Sequence, residues 1–384
     1  MRMNEIDKEI IDVLIAWDKL EVENFGKGVI DFNLLDDFKS FARFKNRLEV
    51  LNRLKNIKQK LDSNDQRRLK VIASITYLRS LMGEQIPFSE YILQTQNVPV
   101  VEFGEETTNE IKNEIVSLAN ELNLGFNKDL IKGLNVYEGK ISKDEIIKLI
   151  ESVFNDKKPF FEEFLGRAID FKIDFELVKN NEYWSYWVDG NYDKFRLRLN
   201  QNNLSLTKVE ASRFVYHELL AHCTQMDVWR DNIERNKMSP IWGITTVYGP
   251  EQFLFEGIAQ TLPLFVLSSI EKKDVKLIKL RILVSLYSSL INNNIHLKIN
   301  NGKAIEEVID YKLNFVPWAK EDDIFSDLIS RSYNPLYRSY QFVYPISFLS
   351  FYRIANKSNL DKTKFLKKAY NEFMSYDMIM KEIE

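Results

Sequence analysis

Through most of the chain, apolar residues recur every three to four positions. In "RFKNRLEVLNRLKNIKQK" (Arg43 to Lys60), Phe44, Leu48, Leu51, Leu54 and Ile57 form one stripe, and the Lys and Arg between them form a wet face. That solvated face is the simpler reading of this basic run; anion binding is the alternative. The same periodicity predicts helices near 5–24, 33–60, 64–82, 87–95, 107–123, 127–135 and 142–155. Later helices are predicted near 206–232, 250–270, 275–292, 303–313, 335–356 and 362–382. With 13 glycines and 9 prolines, turn punctuation is sparse, apart from a break at "TQNVPVVEFGEE". One region reads as β. Residues 156–180 pass from helix into extended chain, and "EYWSYWVDGNYDKFRLRLN" follows. There Trp184, Tyr186 and Val188 alternate with Tyr183, Ser185 and Trp187, ahead of a turn signal at Asp189-Gly190-Asn191. Such a hairpin must lean on helices. The expected architecture is mainly α, with a cleft and a small β-hairpin or sheet. It divides into a helical N-terminal region, 1–155, walling the cleft, and a region 156–384 bearing the chemistry.

The 384 residues are 45% hydrophobic and 28% charged, enough for a well-filled core. Net charge is −3, so no bulk field favours nucleic acid or an anionic membrane. A single cysteine, Cys223, rules out an internal disulfide or a Cys-rich metal knuckle. The start of the chain carries five carboxylates through its apolar part, unlike a secretory leader, and no run of about 20 apolar residues occurs. These features predict a soluble, cytoplasmic protein whose oligomeric state is open.

The stretch "RFVYHELLAHCTQ" changes the picture. It sets two of only three histidines around a glutamate: His217-Glu218-x-x-x-His222. Its helix starts at a capping-box pattern, Thr207 to Glu210. On a regular helix, positions four apart are offset by roughly 40° and positions five apart by roughly 140°. His217 and His222 therefore share one face only if a π-type turn lies between them, and such turns occur mostly at functional sites. Glu256 sits inside the apolar run "FLFEGIAQTLPLF", where an ionised carboxylate is costly unless paired or bound to metal. Gly257 beside it removes a side chain where something must approach closely. The three form a candidate zinc site. Glu251, at the start of that helix, is the weaker alternative and would serve equally as a favourable charge at a helix N-terminus. His296 lacks acidic or cysteine company and reads as structural or surface.

At these residues the chain resembles the gluzincin-type zinc metallopeptidases in the branch whose motif is stretched to H-E-x-x-x-H. Dipeptidyl peptidase III shares that stretch, as H-E-L-L-G-H. A mostly bacterial helical family is similar in layout, with a Tyr-rich strand carrying Asp-Gly, then H-E-x-x-P-G-H-H-x-x-Q, then E-G-W-A. Another family, which includes a tubulin tyrosine carboxypeptidase, pairs H-E-x-x-T-H with E-G-L-A. Here "YWSYWVDGNY", "HELLAHCTQ" and "FEGIAQ" follow in the same order, over about residues 180–360. Ala221 and Cys223 depart from the families' Gly or Thr and from the second His of the doublet.

The resemblance implies a large helical metallopeptidase. His217, His222 and Glu256 would hold Zn2+, with Glu218 as general base. Gln225 or Asp227 would orient an imidazole, unless both are simply polar residues on a helix surface. "SRSYNPLYRSYQFVYPISFLSFYRI" spaces Tyr333, Tyr337, Tyr340 and Tyr344 along one helix face, a pattern that serves core packing as readily as chemistry. Tyr344 is the first choice for an oxyanion donor and Tyr340 the second. Arg338 would pair with a peptide carboxylate, which tips the expectation toward a carboxypeptidase acting on small or unfolded peptides. "FRLRLN" (Phe195 to Asn200) would be the edge strand that binds substrate. The competing readings are a peptide-binding protein with a vestigial site and a zinc hydrolase of a non-peptide amide.

Overall fold

The computed structural model describes residues 3–35, 38, 40–180 and 184–383. In chain order its elements are α1 (Glu5–Phe25), β1 (Phe32–Asn33), α2 (Arg47–Lys60), α3 (Arg67–Leu81), α4 (Phe88–Gln96), α5 (Glu105–Asn120), α6 (Leu130–Glu138) and α7 (Ile146–Leu165). Next come β2 (Lys172–Val178), β3 (Tyr186–Asn191), β4 (Lys194–Asn200), α8 (Lys208–Phe214), a π-helical segment (Val215–Cys223), α9 (Thr224–Glu234) and β5 (Ile244–Thr245). The remainder is α10 (Gln252–Phe265), α11 (Lys272–Asn300), α12 (Ile305–Phe315), α13 (Glu321–Tyr333), α14 (Pro335–Asn356), α15 (Lys362–Asn371) and α16 (Tyr376–Ile383). The protein is mainly helical with one small mixed sheet. No helix among the described residues is long and apolar enough to cross a membrane.

Helix starts follow local chemistry. Asn4 caps α1 by accepting from the Ile6 N–H, and Asn46 caps α2 by accepting from Glu49. In α2 the buried stripe is Val50, Leu51, Leu54 and Ile57, while Leu48 points to solvent. The helix expected over 33–60 begins only at Arg47, because tertiary partners take the backbone before it. Phe32 and Asn33 pair in the sheet, and the Asp12 carboxylate accepts from Phe41 and Ala42. Helix α13 lies between two predicted helices, and the helix predicted over 362–382 is two, α15 and α16.

The sheet order is β2-β4-β3-β1-β5, with β4 antiparallel to β3, and β2 and β1 parallel to their neighbours β4 and β3. The hairpin turn is Tyr192-Asp193, three residues later than the Asp189-Gly190 signal. Gly190 lies within the strand, paired with Phe195, and the position calls for glycine because an added Cβ would lie 2.3 Å from the Phe195 ring. Strand β4 is interior, paired on both sides along its length, so it is not the edge expected from "FRLRLN". Besides the outer edge of β2, the first half of β3 keeps a free edge, since β1 pairs only with Gly190 and Asn191. Tyr183 lies outside the described residues.

One hydrophobic cluster runs from Ile10 and Trp17 of α1 through Leu219 and Phe253 to Ile379, so the N-terminal helices share a core with the rest. A buried ion pair crosses that core: Lys70 Nζ donates to Glu251 Oε1 at 2.8 Å, and the same oxygen accepts from the Thr246 N–H. Glu251 is thereby committed to structure. Lys70→Met strands that carboxylate and is expected to cost about 3–5 kcal/mol in urea unfolding. The double variant with Glu251→Gln should lose clearly less.

Candidate metal centre

The site is built on the helix that opens at the Thr207–Glu210 capping box, present in full. The turn that the H-E-x-x-x-H spacing requires is there, and π-helical geometry extends over nine residues, Val215–Cys223. Three groups secure it. The Thr224 N–H reaches the Leu219 carbonyl, the Thr224 hydroxyl donates to the same oxygen at 2.8 Å, and Tyr370 donates to the Leu220 carbonyl at 2.6 Å. The result is the one that a regular helix forbids: the His217 and His222 rings lie 4.9 Å apart, on one face.

Helix α10 packs between this segment and α14 and carries Glu256 to the pair. His217 Nε2 lies 3.8 Å from Glu256 Oε2, and His222 Nε2 lies 3.8 Å from Glu256 Oε1. The candidate donor atoms of the three residues all fall within 4.8 Å of one another. Ligands about 2.1 Å from a tetrahedral zinc ion would sit roughly 3.4 Å apart, so small side-chain rotations close the set. Gly257 allows the close approach, but of Phe351 rather than a ligand: an added Cβ would stand 2.1 Å from that ring. Glu218, buried and facing the same space, holds Oε1 3.5 Å from His217 Nε2.

The electrostatics of the site would suit a cation. Burial pushes Glu218 well up, with Glu256 and Asp31 adding to it. Burial pushes Glu256 to about 7 despite hydrogen bonds from Tyr340, Tyr344 and Gln260. Burial pushes His222 down to about 4 and His217 well below its usual range; the Ala259 backbone, which accepts from the His217 ring, offsets this in part. Two imidazoles held neutral beside the Glu256 carboxylate, which is reluctant to ionise, form a donor set that a divalent ion would satisfy at once. The residues present fit zinc.

Both tyrosines expected to donate to an oxyanion are in the site, arranged behind the glutamate. Tyr340 donates to Glu256 Oε1 at 2.7 Å, and Tyr344 donates to the Tyr340 hydroxyl at 2.6 Å. In this arrangement the phenols orient the candidate ligand Glu256. Tyr340→Phe is expected to weaken zinc binding about 10- to 100-fold in chelator competition, with the fold unchanged by circular dichroism. Tyr333 points to solvent, 81% exposed, and Tyr337 is buried.

Three other expectations are corrected. Arg338 does not reach the metal-centre cavity: its guanidinium donates to the Ile86 carbonyl and Asn300 Oδ1 and packs on Phe88 and Tyr91. Asp227 binds Arg230 at 2.6 Å and Arg167 at 3.0 Å, not an imidazole. Gln225 donates to the Ala369 carbonyl. His296 is fully buried between Phe88 and Phe342, so of the two alternatives left to it the structural one holds.

A cavity of about 390 Å3 opens over the three residues. Beyond the ligands it is lined by Tyr186, Trp187 and Val188 of β3, by Asp31, and by Asn292, Arg331 and Gln341. None of the last four stood out in the sequence, being ordinary polar residues on separate helices and a loop. Asp31 accepts from Trp187 Nε1 at 3.1 Å, and burial, then Asp189, raise its carboxyl to about 8. The β3 edge presents backbone groups on this side. Ser185 C=O accepts from Asn200 of β4 while Gly190 N–H donates to Asp31, so the intervening Tyr186 and Val188 direct their N–H and C=O away from β4.

No family model matches the chain, and no curated protein matches it. Solved structures with a similar fold include the crystal structure of "the putative lipoprotein from Colwellia psychrerythraea". That structure shares 12% sequence identity and superposes with a TM-score of 0.57, over 87% of this chain and 66% of that one. At this identity the likeness establishes the fold alone, and the present chain spans just under two thirds of that structure's length.

Proposed function

We propose that the protein is a zinc-dependent peptidase in which His217, His222 and Glu256 hold the ion and Glu218 is the general base. The observation that carries this reading is the π-helical segment. It departs from regular helix at the one place where the departure gathers two imidazoles, and it does so opposite a glutamate buried in an apolar helix. When bound, zinc supplies Lewis-acid polarisation of a carbonyl and a lowered pKa for water.

The chain's own residues supply the rest. Glu218 adjoins a ligand without belonging to the donor set, and burial gives it the raised affinity for protons that a base working near neutrality needs. Tyr340, with Tyr344 behind it, fixes the Glu256 carboxylate. The Ala259 backbone sets the orientation of the His217 ring. The free edge of β3 offers Tyr186 and Val188 to an extended peptide as an added strand. The cavity is sized for a few residues, which favours small or unfolded chains and an exopeptidase over cleavage within folded proteins. Mass-spectrometric profiling of a peptide library incubated with zinc-loaded protein tests the proposal: a recurring cleaved bond supports it, and an intact library with full zinc occupancy overturns it.

A further inference from the structure

Arg331, at the end of α13, is the one Lys or Arg among the described residues lining the metal-centre cavity, and its side chain is only 5% exposed. A buried guanidinium needs a partner, and this one is held from three directions. Nε donates to Asp327 Oδ1 at 2.8 Å, Nη2 donates to Gln341 Oε1 at 3.1 Å, and Nη1 faces His296 Nδ1 at 3.4 Å. Its carboxylate partner is also shared, since Asp327 faces Lys312 at 3.9 Å. The third histidine thus acquires a role: clamped between two phenyl rings and held neutral by burial, it packs against the arginine and positions it. These three supports use three of the five N–H donors of the guanidinium, leaving donors for the cavity. In the same lining, Asn292 Oδ1 is buried without a hydrogen-bond partner among the described residues.

A held cation and an orphaned amide oxygen lining one cavity match a ligand that carries a carboxylate and a nearby N–H. We infer that Arg331 and Asn292 form a subsite for a substrate carboxylate, with the arginine taking the carboxylate and the amide taking the neighbouring N–H. The C-terminal residue of a peptide presents both groups; a Glu side chain presents the carboxylate alone in that place. The inference rests on the peptidase reading for its substrate class, and its test is independent of turnover.

The experiment uses zinc-loaded protein carrying Glu218→Gln, so that ligands survive calorimetric titration. The ligands are N-acetyl-Ala-Ala as the free acid, the same dipeptide as the C-terminal amide, and N-acetyl-Ala-Glu amide. The free acid is expected to bind at least about tenfold tighter than its amide, with the ratio falling below about twofold once Arg331→Gln is added. Arg331→Lys, the safer variant for folding, keeps the charge but not the forked donors and should lower the ratio at least about threefold. Equal binding of acid and amide, no binding of either, or a ratio unchanged in both arginine variants overturns the subsite. Preference for the Glu-containing amide over the free acid moves the carboxylate from the chain end to a side chain and overturns the C-terminal assignment. Parallel hydrolysis by the protein without Glu218→Gln separates the two readings. An acid preference without any hydrolysis sinks the peptidase, whereas hydrolysis at equal rates for acid and amide sinks the subsite.

Discussion

Glu218→Gln is expected to leave zinc content at one ion per chain and to lower kcat/KM for peptide hydrolysis by about 10²- to 10⁴-fold, the usual contribution of a positioned general base. Gln keeps the size of the side chain and removes its affinity for a proton. Because Glu218 stands outside the three-residue donor set, its loss should separate chemistry from metal binding. The measurement pairs elemental analysis with cleavage of a peptide identified in the library. Equal activity of the two proteins would favour a peptide-binding protein with a vestigial site, in which residue 218 has no proton to move.

Glu256→Gln should have the opposite signature, with zinc affinity falling by more than about 100-fold, beyond the effect of a residue that merely orients a ligand, and activity lost with it. The amide still accepts from Tyr340, so the fold should survive. Stability then reports the site in two ways. Zinc at 100 times its dissociation constant adds about 2.7 kcal/mol to the wild type and much less to the variant. In metal-free protein the folded state holds a proton on Glu256 up to about pH 7, whereas the unfolded chain releases it near 4.5. The wild type therefore loses stability as pH rises through that window, a slope the variant lacks. Thermal melts at pH 4.5, 6 and 7.5, with and without zinc, measure both effects. Parallel pH profiles for the two metal-free proteins would exclude a strained, buried carboxylate at position 256.

Most helices, and the three residues around which the site is built, were legible in the chain. The periodicity of α1, α2 and α14 is strong because each lays one face on the core, and His217, Glu218, His222 and Glu256 stand out as polar residues inside apolar runs. Even the π-helical segment follows from spacing, since five-residue separation is incompatible with a shared face on a regular helix. What failed shares one cause. Arg338 and Arg331 lie seven positions apart on neighbouring helices, and nothing in the sequence says which one turns to the cavity. Packing decides: Ile86 and Asn300 take the first, while Asp327, Gln341 and His296 hold the second in the cavity wall. Asp227 looked suited to an imidazole, but Arg230 one turn along its own helix and Arg167, 60 positions away, occupy it. Strand order likewise needs the partners: "FRLRLN" has the alternation of a strand, but alternation carries no information on whether both of its edges are paired.

By itself, then, the chain determined local conformation and the chemical identity of the three metal-binding candidates and of the candidate base, because these depend on spacing and on the cost of placing charge among apolar residues. Which arginine faces the cavity, which strand keeps a free edge beside it, and what holds each imidazole and carboxylate in place were decided by tertiary contacts between residues far apart in the chain, 84 positions for Tyr340 and Glu256 and 252 for Arg338 and Ile86. Such contacts depend on how helices and strands come together in space, which the periodicity of any one segment does not encode.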